Sequence, residues 1–207
     1  MNAALLTLGA WAAEPTPLGT AIDAGSITAE LRGNGSSTGD AIFATLKSGG
    51  QELTIDVAAG TVLTAASAEA PRMVVAASKG RMLGYGWFQP STSMTVAATG
   101  STQWVLESYA IELGKRHPEQ TDRYTVGAVD ATLAALIQKA DELKSGPAAL
   151  QTAIWASTAD FELDKLRERF PAGDETMTAA RTLYEAAGHD PCAHSLWEAS
   201  CSEANAP

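Results

Sequence analysis

Apolar residues recur at every second position up to about residue 113, and at every third or fourth position after about residue 127. In the first stretch Ile27, Ala29 and Leu31 alternate with Thr28 and Glu30, as do Ile42, Ala44 and Leu46, then Leu53, Ile55 and Val57. Side chains on a strand alternate between faces, so each run predicts a half-buried strand. Gly33-Asn34-Gly35-Ser36-Ser37, Ser48-Gly49-Gly50 and Ala59-Gly60 separate these runs as turns. Further strand patterns cover 72–77, 81–88, 93–97 and 102–113. Roughly seven or eight short strands at this spacing predict an antiparallel sandwich or barrel.

The second stretch predicts helices. Val129, Leu133, Leu136, Ile137, Ala140 and Leu143 form one helical stripe, which ends at Lys144-Ser145-Gly146-Pro147. A short helix over 148–157 follows, with Pro147 suited to its first turn. Leu163, Leu166 and Phe170 mark a third helix, stopped by Pro171. A fourth starts at a capping Asp174, aligns Met177, Ala180 and Tyr184, and closes at Gly188. Strands first and helices after predict the α+β class. The reading is an N-terminal segment over 1–24, a β-rich part over 25–113 and a helical part over 127–207, all one compact unit. Leu133, Leu136, Ile137, Ile154, Leu166 and Leu183 are expected in the core.

Charge and cysteine narrow the function. The chain carries 24 acidic against 14 basic residues, a formal net charge of −10, which repels phosphate and argues against a nucleic-acid partner. No apolar run approaches the ~18 residues of a spanning helix. The first residues are apolar and uncharged, and Ala10-Trp11-Ala12 has the small-x-small form of a signal-peptidase site. This start reads as a signal-peptide remnant or as an apolar arm packed on the body. Cys192 and Cys201 are the only cysteines, so the core holds without a disulfide framework. As a pair they read as a disulfide, as free thiols, or with His189 and His194 as a zinc site, although the ligand spacing is not a familiar one. One continuous helix over 192–201 would hold the two Cα atoms ~13 Å apart, so a bridge requires a bend.

The other motifs favour structure over chemistry. Gly33 to Gly39 superficially resembles a phosphate-binding loop, but the strand pattern after it makes a hairpin turn the better reading. His117, in the polar turn Lys115-Arg116-His117-Pro118, reads as solvated, and Asp160, Glu162 and Asp164 as helix-start and surface charges. No nucleophile elbow is present. Trp87-Phe88 and Trp104 read as strand packing. Two tryptophans exposed together would instead suggest a carbohydrate or peptide surface.

One segment carries a resemblance. Leu150-Gln151-Thr152-Ala153-Ile154-Trp155 resembles the Thr-Gln-x-Ala-Ile-Trp motif in thioester domains of Gram-positive surface adhesins, with Leu150 in place of Thr. In that family the Gln side chain condenses with a Cys from an upstream aromatic-Cys motif, and the internal thioester captures amines on host ligands. The counterpart here is Ser108-Tyr109-Ala110-Ile111-Glu112-Leu113, which matches at Tyr109 and has Ala110 at the Cys position. The resemblance spans about residues 25–161, and the order of a β-rich part before helices also fits. Thioester formation requires a thiol within ~3–3.5 Å of the carboxamide. Alanine has none, Ser108 stands ~6–7 Å along the strand, and Cys192 and Cys201 lie outside the matched span. A plainer reading also accounts for the segment: Gln151 and Trp155 stack one turn apart, beside an apolar stripe of Leu150, Ala153 and Ile154.

The resemblance implies a bacterial, secreted or cell-surface module with no cofactor. Lacking its nucleophile, it would act without catalysis as a binding or structural element for an extracellular protein or carbohydrate. The alternatives are an enzyme of unassigned type, or an active thioester adhesin in which Ala110 replaces a native Cys. Trp155 is expected to pack on the β-rich part, with Gln151 at the same junction and the Ala110 Cβ facing it.

Overall fold

The computed structural model describes residues 14–84 and 86–204. The apolar start, including Ala10-Trp11-Ala12, lies outside the described residues. The chain runs β1 (Thr16–Pro17), α1 (Leu18–Asp23), β2 (Ile27–Gly33), β3 (Thr38–Ser48), β4 (Leu53–Asp56), β5 (Thr61–Ala65), β6 (Met73–Gly84), β7 (Trp87–Pro90), β8 (Met94–Val96), β9 (Thr102–Ala110) and β10 (Arg123–Val129). The helices α2 (Ala131–Leu143), α3 (Pro147–Thr158), α4 (Leu163–Arg167), α5 (Asp174–Ala186) and α6 (Glu198–Ala204) complete it. The class is α+β.

Six antiparallel strands bond in the order β5-β10-β2-β3-β9-β6, and β5 pairs back onto β6. The sheet is therefore a closed barrel, not a sandwich, and closure leaves those six strands without a free edge. The hairpin of β2 and β3 is its longest regular seam, from Ile27↔Ser48 to Gly33↔Ile42. The closing seams are short: Val62↔Val74 and Leu63↔Met73 on one side, Arg123↔Arg32 and Tyr124↔Leu31 on the other. β7 extends the sheet outside the barrel, and β1, β4 and β8 form a small second sheet.

The barrel is not confined to the N-terminal part, because β10 lies beyond residue 113. Val129 ends β10 and is exposed, so it is not the first residue of the helical stripe. The helix starts at Asp130, whose Oδ1 accepts from the N–H groups of Thr132 (2.9 Å) and Leu133 (3.1 Å). At α5 the cap is Gly173, and Asp174 sits in the first turn, where its charge favours the helix N-terminus.

Three apolar clusters follow from this arrangement. Inside the barrel, Leu31, Ala44, Leu46, Leu63, Met73 and Trp104 pack with Ile55 and Met94 of the small sheet. On its outer wall, Val74 and Tyr109 meet Leu133, Leu136, Ile137, Ile154 and Leu183. Beyond α3, Trp155, Phe161, Leu166, Tyr184 and Trp197 form the third. All six residues expected in the core are buried. No helix of the described residues is long and apolar enough to cross a membrane.

Candidate functional site

α3 begins with Pro147 as its first residue, and Ala149 through Ala156 are all buried. A helix packed on both sides has no solvent face, so its polar residues must find partners inside the protein. Gln151 has no exposed surface. Its Oε1 accepts from Thr38 Oγ1 (2.9 Å) and from the Ala110 N–H (3.2 Å), and its Nε2 donates to the Ala110 carbonyl (2.8 Å). The carboxamide thus occupies both main-chain polar groups of Ala110, whose N–H is shared with the Ser37 carbonyl (2.8 Å). Two turns on, Thr158 Oγ1 donates to the Ile111 carbonyl (2.9 Å). Gln151 and Thr158 are i and i+7, so one helix face binds the end of β9 at two successive residues.

The residues of the motif do not all meet in one place. The main chain of Ala110 meets the carboxamide, while its methyl group packs with the barrel-interior cluster. This differs from the expected Cβ contact. Tyr109 points to the helices, and its hydroxyl donates to Glu107 Oε1 (2.6 Å). Burial and that carboxylate both raise the phenol pKa. Ser108 Oγ bonds back to the Leu106 carbonyl on its own strand. Ala153 and Ile154 face the barrel's outer wall. Trp155 is buried, but in the third cluster and not on the barrel: it stands edge-on to Phe170, with ring centroids 5.5 Å apart. Its indole N–H finds no acceptor among the described residues.

A cavity of about 410 Å³ opens beside this junction, lined by Thr38, Ala110, Lys115, His117, Trp155 and Phe170 among others. The 114–122 segment forms part of its wall and is held tightly. Gly33 admits it, since a Cβ there would stand 2.5 Å from the Glu119 carbonyl oxygen. The Gly35 N–H donates to the Pro118 carbonyl (2.7 Å), and Ser37 Oγ bonds His117 Nδ1 (2.8 Å). His117 is exposed but bonded, where the sequence suggested simple solvation. Arg116 binds the buried Asp122 through both terminal nitrogens (2.7 Å each), and the Glu119 N–H adds a third bond to that carboxylate. The Arg116 hydrogen bonds hold the Asp122 carboxyl below its usual pKa, helped by the bond from Glu119.

In the tail, Cys192 and Cys201 form a disulfide with Cα atoms 5.7 Å apart. The bend this requires comes from a 3₁₀ turn at Pro191–Ala193, set before α6. The bridge consumes both sulfurs that a zinc site would need. His194 is buried: its Nδ1 accepts from the Leu196 N–H (3.0 Å), so its Nε2 donates to the Ala159 carbonyl (3.0 Å). Asp160 is more than a surface charge, since it accepts from both the N–H and Oγ of Ser195. Among the described residues, Trp87 is exposed while Trp104, Trp155 and Trp197 are buried, so no exposed tryptophan pair forms. Thr38, Asp122 and Thr158 were not legible as site residues, because their partners are assigned only by folding. Comparison with protein-family models, curated proteins and solved structures returns no match for this chain.

Proposed function

We propose that this protein is a non-catalytic, extracytoplasmic binding module of the thioester-domain type. In it a fixed carboxamide clamp stands where the family has a covalent bond. The observation that supports the reading is the seating of Gln151: its carboxamide is held against the two main-chain polar groups of Ala110, the residue at the Cys position of the resembled motif. With no nucleophile there, the junction is chemically inert and binding is non-covalent.

The test is Ala110→Cys. Because the Ala110 methyl packs with the barrel interior while its main chain holds the carboxamide, the new thiol must turn out of the barrel to react. The sulfur would then attack the Gln151 Cδ to form a C–S bond, the C–N bond would break, and the thiol proton would leave with Nε2 as ammonia. The reading expects an intact mass lower by one ammonia, and covalent uptake of methylamine that Gln151→Ala abolishes. Wild type should show neither change. A folded Ala110→Cys variant with unchanged mass and no methylamine uptake would contradict the reading.

A further inference from the structure

The cavity beside the Gln151–Ala110 junction is where charge and preorganisation coincide. Its wall is fixed by four independent links: the Gly33 close approach, the Gly35–Pro118 bond, the Ser37–His117 bond and the Arg116–Asp122 pair. An ion pair with one buried partner adds little net stability, and its best-attested use is to specify one geometry. Here it fixes a segment that carries Lys115 and His117 at the cavity. Arg116 is committed to Asp122, and Glu112 to Arg72 through the Arg72 N–H and Nε. Lys115, Arg169 and Glu168 remain among the charged lining residues, leaving one net positive charge on a chain of formal net charge −10. Among the described residues the Lys115 ammonium donates to a neutral acceptor, the Ala68 carbonyl, which does not cancel its charge. Trp155 contributes to the lining as an aromatic side chain.

We infer that this cavity binds a carboxylate-bearing peptide group, held by Lys115 and Arg169. The inference rests on the binding-module reading and names its ligand class. A single net charge matches a monoanion; a phosphate dianion would leave one charge unbalanced. The volume of about 410 Å³ falls within the usual range for small-ligand sites and exceeds what a bare carboxylate fills. Leu113 and Phe170, both part-buried at the lining, supply apolar surface for the ligand's carbon atoms.

Calorimetric titration of the whole chain with four tripeptides tests this. Acetyl-Ala-Glu-Ala-amide presents a side-chain carboxylate and acetyl-Ala-Ala-Ala with a free C-terminus presents an α-carboxylate, so the two arms distinguish the source. The Gln and Lys analogues of the amidated peptide are the neutral and cationic comparisons. At least one carboxylate peptide should bind about tenfold more tightly than both comparisons, and more weakly as salt is raised. Lys115→Gln and Arg169→Gln should each weaken it about tenfold, and Lys144→Gln, outside this cavity, should not. Equal or tighter binding of the Lys peptide, sensitive to Arg169→Gln, would overturn the ligand class and leave a binding module standing. Carboxylate binding indifferent to both variants, or no carboxylate binding, would overturn the inference. The Ala110→Cys mass measurement decides the thioester-type reading separately.

Discussion

A buried glutamine brings two acceptor lone pairs and two donor hydrogens out of water. Gln151 uses both lone pairs and at least one N–H, so removing the group strands partners as well as contacts. Gln151→Leu should cost about 1–3 kcal/mol in denaturant unfolding, the penalty of leaving a buried carbonyl unpaired at Ala110. Gln151→Glu is more diagnostic. A carboxylate can still accept from Thr38 and the Ala110 N–H, but it opposes the Ala110 carbonyl, so its folded pKa is raised above the unfolded value of ~4.3. The variant should be destabilised at neutral pH and recover as pH falls through that folded pKa. Asp122 has the opposite sign. Its folded pKa is lowered, so its contribution is present above the unfolded value of ~3.9 and is lost as pH falls through the folded one. Asp122→Asn should cost about 1–2 kcal/mol at neutral pH, discounted because the Arg116 side chain is 35% exposed, and the gap from wild type should narrow below about pH 4. Stability against pH for both variants checks these signs. Gln151 was legible from its motif. Thr38, its partner 113 residues away in sequence, carries no local signal.

Among the elements, α3 organises the helical half because it is packed on both sides. Trp155→Ala should cost about 3–5 kcal/mol by equilibrium unfolding, as large core truncations do. A near-neutral midpoint shift would mean that the contact with Phe170 carries no weight. The strands show why the barrel was only half legible. β2 and β3 alternate clearly, and β6 and β9 read as strands from apolar runs that are buried at consecutive positions, but alone these four give an open sheet. The closing strands were hidden. β5 reads Thr-Val-Leu-Thr-Ala, with its apolar residues adjacent and Thr61 among the buried positions. β10 alternates at Tyr124 and Val126, but Gly127 interrupts it, and Val129 falls in helical step with Leu133 and Leu136. Periodicity cannot separate a strand end from a helix start when one residue fits both. The bridged cysteines were legible only as one of several readings, because the bend that brings them together is set by Pro191 and by His194 packing.

At the scale of the whole molecule, barrel and helices are joined by an apolar face and by a polar clamp. Val74, Tyr109 and Ile111 lie under α2 and α3, while Gln151 and Thr158 bond the main chain where β9 ends. The apolar face is held by non-directional burial, which does not by itself fix a register. The clamp, with fixed directions and distances, sets the register of α3 on the strand and so shapes the cavity beside it. That a rigid Gln151 carboxamide holds this junction is the claim on which the binding reading and its ligand class depend. Amide NMR of uniformly labelled wild-type protein tests it directly. The Gln151 side chain should show two resolved Nε2 protons, one exchanging with water at least a hundredfold more slowly than an exposed glutamine and giving a cross-peak to Ala110. Two fast-exchanging protons with no contact to Ala110 would contradict the account.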